Sequence, residues 1–256
     1  MGFRDCVIHT AEEIERIRAA AAKTAEVRDQ LAELVRPGMT TLQIDILAGE
    51  LIHATGGTSA FLNYHGYPGN ICISVNDEVV HGIGVADRIV QESDIVSVDV
   101  GVCYDGAVGD SARTFGFGEL PAETARLLNA TKEALMAGIE AAVKDNHIRD
   151  ISRAIERRAL RDRLGIVREL VGHGVGNKLH EPPDVPNYVT PVKGPRLVPG
   201  MVLAVEPMLN LGTHRVVSES DGWTIRTRDG SLSAHFEHTI LITDNKPEIL
   251  TWPKMM

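Results

Sequence analysis

Cysteine is scarce in this chain. Only Cys6, Cys72 and Cys103 are present, odd in number and far apart, which argues against both a disulfide framework and a CxxC metal knuckle. Any metal must then be held by His, Asp and Glu. Positive charge is also short: 26 Lys+Arg stand against 35 Asp+Glu, a net charge of −9. Such a balance disfavours duplex nucleic acid as a main partner and direct nucleic-acid readout. No run of about 18 uncharged apolar residues occurs, and Met1-Gly2-Phe3-Arg4-Asp5-Cys6 lacks the apolar core of a signal peptide. The expectation is a cytoplasmic protein that does not engage a membrane. Neither a GxGxxG nor a GxxxxGK phosphate loop is found, so nucleotide binding has no support. What the chain does have is length: 256 residues, 43% apolar, enough to bury roughly 75% of the unfolded surface.

The first segment opens on a capping box, Thr10-Ala11-Glu12-Glu13, and carries Ile14, Ile17, Val27, Leu31 and Leu34 at near-helical spacing until Pro37-Gly38. This predicts a helix over about 11–35. A second box, Thr40-Thr41-Leu42-Gln43, opens a helix closed by Gly56-Gly57. Short strands follow over 71–75 and 79–82. From Asp94 to Phe115, Val96, Val98, Val100 and Val102 alternate with Ser97, Asp99, Gly101 and Cys103 ahead of Asp105-Gly106, a strong hairpin signal. A two-residue loop pairs Tyr104 with Ala107 and sets Gly101 opposite Asp110. Asp99 then shares a face with Asp110 as a diagonal neighbour, about 7–8 Å away at the backbone, and Gly101 leaves space between them. Two helices are expected next, one entered at Pro121 and one over about 148–164 whose arginines read as a solvated face. A strand-like run covers 166–171. Regular structure is not expected across the Pro-rich 181–199, and β character returns over 201–206, 223–228 and 234–243. Each half shows helices and an acidic hairpin, a faint duplication.

Asp99, Asp110, His173, Glu206 and Glu237 sit where strands or loops should be apolar or featureless. A buried carboxylate without a partner costs several kcal/mol or shifts its pKa until neutral. No Lys or Arg flanks Asp99 or Glu206 closely in sequence, so one or two divalent cations are the natural counter-charge. Oxygen ligands with an imidazole suit Mn, Fe(II), Co or Zn. Each residue alone also fits an ordinary surface acid or a satisfied imidazole, and His81, His173 and His180 leave both readings open. Cys72 and Cys103 lie in apolar strands with no paired base, so cysteine nucleophilic catalysis is a weak reading.

The ordered motifs Tyr64-His65-Gly66-Tyr67-Pro68, Ser74-Val75-Asn76, Val80-His81-Gly82-Ile83, Val98-Asp99-Val100, Gly109-Asp110, Gly172-His173-Gly174-Val175-Gly176, Leu179-His180-Glu181, Val205-Glu206-Pro207-Met208, Asp221-Gly222-Trp223-Thr224 and Phe236-Glu237-His238-Thr239 resemble the type I methionine aminopeptidases over about residues 10 to 251. The resemblance implies an α/β (α+β) pita-bread fold, two pseudo-symmetric halves with a central curved antiparallel sheet flanked by helices. It implies a single catalytic domain over 1–256, with 1–9 a short extension. It implies two divalent metal ions (Co, Mn, Fe or Zn), with Asp110 and Glu237 bridging, Asp99 completing one site, and His173 with Glu206 the other. A water clamped between them would attack the scissile carbonyl as hydroxide. His81 is implied to contact the substrate near its N-terminus, His180 to stabilise the oxyanion, and Glu206 to move the proton. Tyr64, Tyr67, Cys72 and Trp223 match positions lining the methionine pocket, whose aromatic and sulfur groups suit a thioether.

Two departures stand in that pocket: Phe61 where bacterial members often carry a smaller Cys, and Leu179 where many carry Phe. The implied substrate is a nascent polypeptide with N-terminal Met and a small second residue, met by a monomer in transient contact with the ribosome. Proline dipeptidases and aminopeptidase P share the fold and ligands but carry an extra N-terminal domain. Type II methionine aminopeptidases carry a helical insertion, for which the stretch from His180 to Glu206 is too short. Creatine hydrolases of this fold have lost the ligands that are present here. A catalytically dead relative acting as an RNA- or protein-binding module would lose ligands and gain basic tails, and neither feature occurs.

Overall fold

Helix α1 (Ala11–Leu34) forms where the first capping box places it: Glu13 N donates to Thr10 Oγ1 at 3.3 Å and Thr10 N donates to Glu13 Oε2 at 2.8 Å. The protein is seen here as a computed structural model describing residues 6–252, so residues 1–5 of the expected 1–9 extension lie outside the described residues. The second box caps α2 (Thr41–Ala54) in the same way. Helices α3 (Ala122–Ala141) and α4 (Ile148–Arg161) complete the α-helices among the described residues. As expected, α4 buries Ile148, Ile151 and Ile155 and leaves Arg153, Arg157 and Arg161 exposed. No described helix is long and apolar enough to cross a membrane.

The Asp-Gly hairpin pairs Ile95–Tyr104 with Ala107–Gly116 in the expected register, Tyr104 against Ala107 and Gly101 against Asp110. Its strand of valines faces a core shared with α1 and α2, where Val96, Val98, Val100 and Val102 meet Val27, Leu31, Ile44 and Ile52. Close approach of α1 explains Gly109: a Cβ there would lie 2.5 Å from the Ala21 Cα. Gly101 has a different use from the one expected. A Cβ at 101 would lie 2.5 Å from Cε1 of Phe61, so the room made by this glycine is filled by a ring and is not open space between two carboxylates.

In the second half, Val202–Val205 pairs with His238–Leu241, and Met208–Asn210 pairs with Ser233–His235. The β run expected over 234–243 is broken at Phe236-Glu237. The same register runs through both paired stretches, Val205 against His238 and Met208 against His235, so Glu206 and Glu237 fall opposite each other at the interruption. The second half thus also carries a pair of acids on neighbouring strands, directly opposite here where Asp99 and Asp110 are diagonal in the first hairpin. The run over 166–171 shrinks to a Gly165–Ile166 strand, with Gly172–Gly174 beginning only after it. Within the Pro-rich region, Glu181–Val185 does form a strand. It lies at the edge of its sheet and, among the described residues, pairs only with Gly172–Gly174, which is where proline's missing N–H is tolerated.

Hydroxyl groups stitch the two halves together. Asp110 N donates to Thr239 Oγ1 at 3.1 Å, and that hydroxyl donates to Asp110 O at 2.7 Å. Ser111 Oγ donates to Glu237 O at 2.7 Å, and Glu237 N donates to Ala112 O at 3.0 Å. Thr114 Oγ1 likewise bonds both backbone groups of His235 at 2.8 Å. Arg28 on α1, almost fully buried and bidentate on Asp29, donates to Ser111 Oγ at 2.6 Å. Four side chains thus replace a regular ladder and bring Asp110 beside Glu237.

Candidate metal centre and substrate cavity

The two acidic hairpins converge on one cavity of about 840 Å³ that contains all five expected ligands. Asp110, His173 and Glu237 each present a ligand atom, and these atoms lie within 4.8 Å of one another. His173 Nε2 lies 3.8 Å from Asp110 Oδ2 and 3.4 Å from Glu206 Oε1. Asp99 and Asp110 are diagonal neighbours across the hairpin ladder, and after burial the Asp99 charge is what most raises the Asp110 acid. His173 Nδ1 lies 2.9 Å from the Gly174 carbonyl. Donation of that N–H leaves the Nε2 lone pair facing the carboxylates, the orientation an imidazole needs to ligate a metal.

The residues fit a divalent metal. Asp99 Oδ1, Asp110 Oδ1 and Glu237 Oε1 are enclosed without a hydrogen-bond partner, whereas buried polar atoms are normally paired. Among the described residues, Asp110 and Glu206 pair with imidazoles, and none of the four carboxylates forms an ion pair with Lys or Arg. Burial pushes the acid of Asp99 up, and burial reinforced by neighbouring carboxylates pushes Asp110, Glu206 and Glu237 far above the usual range. Burial and the nearby His180 pull His173 down to about 3. The centre is therefore a neutral imidazole among carboxylates whose charge needs a cation, and hard oxygen donors with one nitrogen match Mn, Fe, Co or Zn.

The residues expected on the substrate side line the same cavity. Tyr64 Oη lies 2.8 Å from His180 Nδ1, and the His180 ring packs edge-on against His173 with centroids 4.3 Å apart. His81 adopts the left-handed region at φ 59, a strained backbone of the kind that concentrates at functional sites. Burial lowers its pKa, with His180 adding to the effect. Tyr67 and Trp223 pack edge to face at 5.2 Å, but the Tyr67 hydroxyl is turned away to the Gly82 carbonyl at 2.7 Å. Cys72 pairs directly across from Asp99. Burial first, and then the Asp99 charge, keep its thiol protonated, which agrees with the weak case for cysteine nucleophilic catalysis. Phe61 and Leu179 are both buried in the same apolar cluster beside Tyr67 and Cys72. The two departures therefore share one wall.

Sequence reasoning passed over His235. It is 2% exposed, lines the cavity, and places Nε2 3.8 Å from Glu206 Oε2. The available signal was its position two residues before Glu237, which puts both side chains on one face of an extended segment.

Metallopeptidase family M24 matches residues 15–244. The methionine aminopeptidase of Clostridium acetobutylicum is 46% identical over 96% of this chain and 98% of its own. That of Aquifex aeolicus is 45% identical over 95% and 98%. The crystal structure of a Thermotoga maritima methionine aminopeptidase superposes with a TM-score of 0.93 at 42% identity, covering 96% of this chain and 99% of that one. A prolidase from Pyrococcus furiosus, at 21% identity and a TM-score of 0.79 over 97% of this chain and 66% of that one, shares the fold. A conserved-length match at this identity, on a fold whose two hairpins aim their acids at one cavity, places the chain in metallopeptidase family M24, among the methionine aminopeptidases, as a metalloaminopeptidase.

Proposed function

We propose that this chain, as a single catalytic domain, removes N-terminal methionine from nascent proteins and peptides with a small second residue, using two divalent metal ions. The observation that carries the reading is the meeting of Asp110, His173 and Glu237 within 4.8 Å in a cavity walled by Tyr67, Cys72 and Trp223. Asp110 and Glu237 would be shared between the two ions, Asp99 would serve one of them, and His173 with Glu206 the other. When bound, such ions supply Lewis acidity and make a water molecule acidic near neutral pH.

The remaining work falls to the side chains. Glu206 is the base and proton carrier, with Oε1 and Oε2 as the atoms that hold the proton. Donation from Tyr64 Oη to His180 Nδ1 leaves the His180 Nε2–H free to donate to the scissile carbonyl oxygen as negative charge develops. Burial, with His65 nearby, lowers the His180 pKa, so this donor is a neutral imidazole. His81, held by its strained backbone, receives the substrate's amino end. Phe61, Tyr67, Cys72 and Trp223 exclude water and enclose an unbranched thioether. The substrate class implies a cytoplasmic setting, a monomer, and brief encounters with the ribosome.

A peptide panel tests this reading. Met-Ala-Ser should release free methionine in the presence of Mn(II) or Co(II), while Leu-Ala-Ser and Ala-Pro should be poor substrates. Cleavage of Ala-Pro in preference to Met-Ala-Ser would overturn the assignment in favour of a prolidase-type activity.

A further inference from the structure

His235 has no part in the roles above, yet its imidazole is enclosed at the centre with Nε2 lacking a hydrogen-bond partner. Its backbone is fixed on both sides by the Thr114 hydroxyl and by pairing with Met208. Glu206 precedes Met208 by two residues, which makes it the diagonal neighbour of His235 on the same face. The two oxygens of Glu206 meet different rings. Oε1 lies 3.4 Å from His173 Nε2, on the side of Asp110, and Oε2 lies 3.8 Å from His235 Nε2.

We propose that His235 is a positioning residue for Glu206: its unpartnered Nε2–H, 3.8 Å from Oε2, closes on that oxygen when metal is bound and turns Oε1 toward His173 and the metal. Carboxylate ligands are commonly oriented by an outer hydrogen-bond donor, whose loss weakens metal binding. A ring two residues from one acid and reaching another would also couple the two sides of the hairpin interruption, where Glu206 and Glu237 stand opposite each other. The inference rests on Glu206 being a ligand, and the test separates the two.

Metal-stripped wild type, Glu206→Gln, His235→Leu and His235→Gln would be titrated with Mn(II) by calorimetry. Glu206→Gln and His235→Leu should each weaken one of the two ions by about 10- to 100-fold. His235→Gln should retain wild-type affinity, because its amide donor reaches as far as Nε2. Visible absorption of the Co(II)-loaded His235→Gln protein should keep the wild-type bands, since no ligand is lost. Wild-type affinity in His235→Leu would overturn the positioning role. Shifted Co(II) bands in His235→Gln would also overturn it, by making His235 a ligand itself. Unchanged binding in Glu206→Gln would remove the ligand assignment beneath the inference and sink both. If circular dichroism shows His235→Leu unfolded, His235→Asn replaces it: its amide stops short of Oε2, so the same weakening is expected, and retained affinity contradicts the proposal.

Discussion

The carboxylate centre and the substrate wall occupy one cavity but are built by different means. Asp99 and Asp110 are ladder positions of one hairpin, and Glu206 and Glu237 stand opposite each other at the interruption of another. Their spacing is set by register, which a one-residue slip would destroy. The wall is made mostly of turns, with Cys72 on the strand beside Asp99: Tyr64 sits between Asn63 and His65, both left-handed, His81 is left-handed too, and Trp223 follows an Asp221 turn through Gly222. A ladder fixes atoms that must share an ion, whereas turns can be altered one side chain at a time. The chemistry should accordingly be brittle and the selectivity adjustable.

The largest effect is expected on the ladder. Asp99→Ala or Glu237→Ala should reduce methionine release more than about 100-fold while the chain stays folded, the loss anticipated when a transition-state interaction worth several kcal/mol is removed. Activity above a hundredth of wild type in either variant would break the contrast between the two regions.

The second effect concerns stability, and its sign follows from the raised acids. Above about pH 7 the imidazoles are neutral in both folded and unfolded chains. The buried carboxyl groups then differ, keeping protons in the metal-free fold that the unfolded chain has lost, and the raised thiols of Cys72 and Cys103 add to the loss in the same sense as pH nears 9. The metal-free protein should therefore lose stability as pH rises from about 7 to about 9, by up to about 1.4 kcal/mol per pH unit for each proton retained. Below that range the buried imidazoles, including His173, His235 and His238, act in the opposite sense, so the upper window is the one in which every shifted group acts with the same sign, and a Cys72→Ala background removes the most deeply buried thiol from it. Thermal melts with chelator against melts with Mn(II) would show it. A slope that is equally flat in both would mean that the acids do not depend on a cation.

The smallest effect belongs to the wall. Phe61→Cys should relax the preference among Met, norleucine and Leu at the N-terminus by a few-fold in kcat/KM, about the scale of one methylene in an apolar pocket. Unchanged ratios would show that the ring beside Gly101 does not bound the pocket.

Legibility divided along the same line. Both capping boxes and the Asp-Gly hairpin are short-range signals, and α1, α2 and the Gly101–Asp110 pairing lay where they put them. The four acids and the imidazole could be suspected from polar residues in apolar runs, and the resemblance of the motifs named their roles. The seam between the halves was not legible. It depends on Ser111, Thr114 and Thr239 reaching backbone groups about 120 or more residues away, and nothing local marks such hydroxyls. The Glu181–Val185 strand was missed because its prolines deny a central position and say nothing against an edge. His235 was overlooked because a histidine beside a stronger motif looks like packing until its unpartnered Nε2 is seen.

The central claim is that carboxylates fixed by two registers hold the metal on which methionine removal depends. Its most direct measurement is methionine release from Met-Ala-Ser by chelator-stripped protein as Mn(II) is added back. Activity should be absent without metal and return as ions are restored, saturating by about two per chain. Undiminished release by the stripped protein, or no release at any metal loading, would contradict the account.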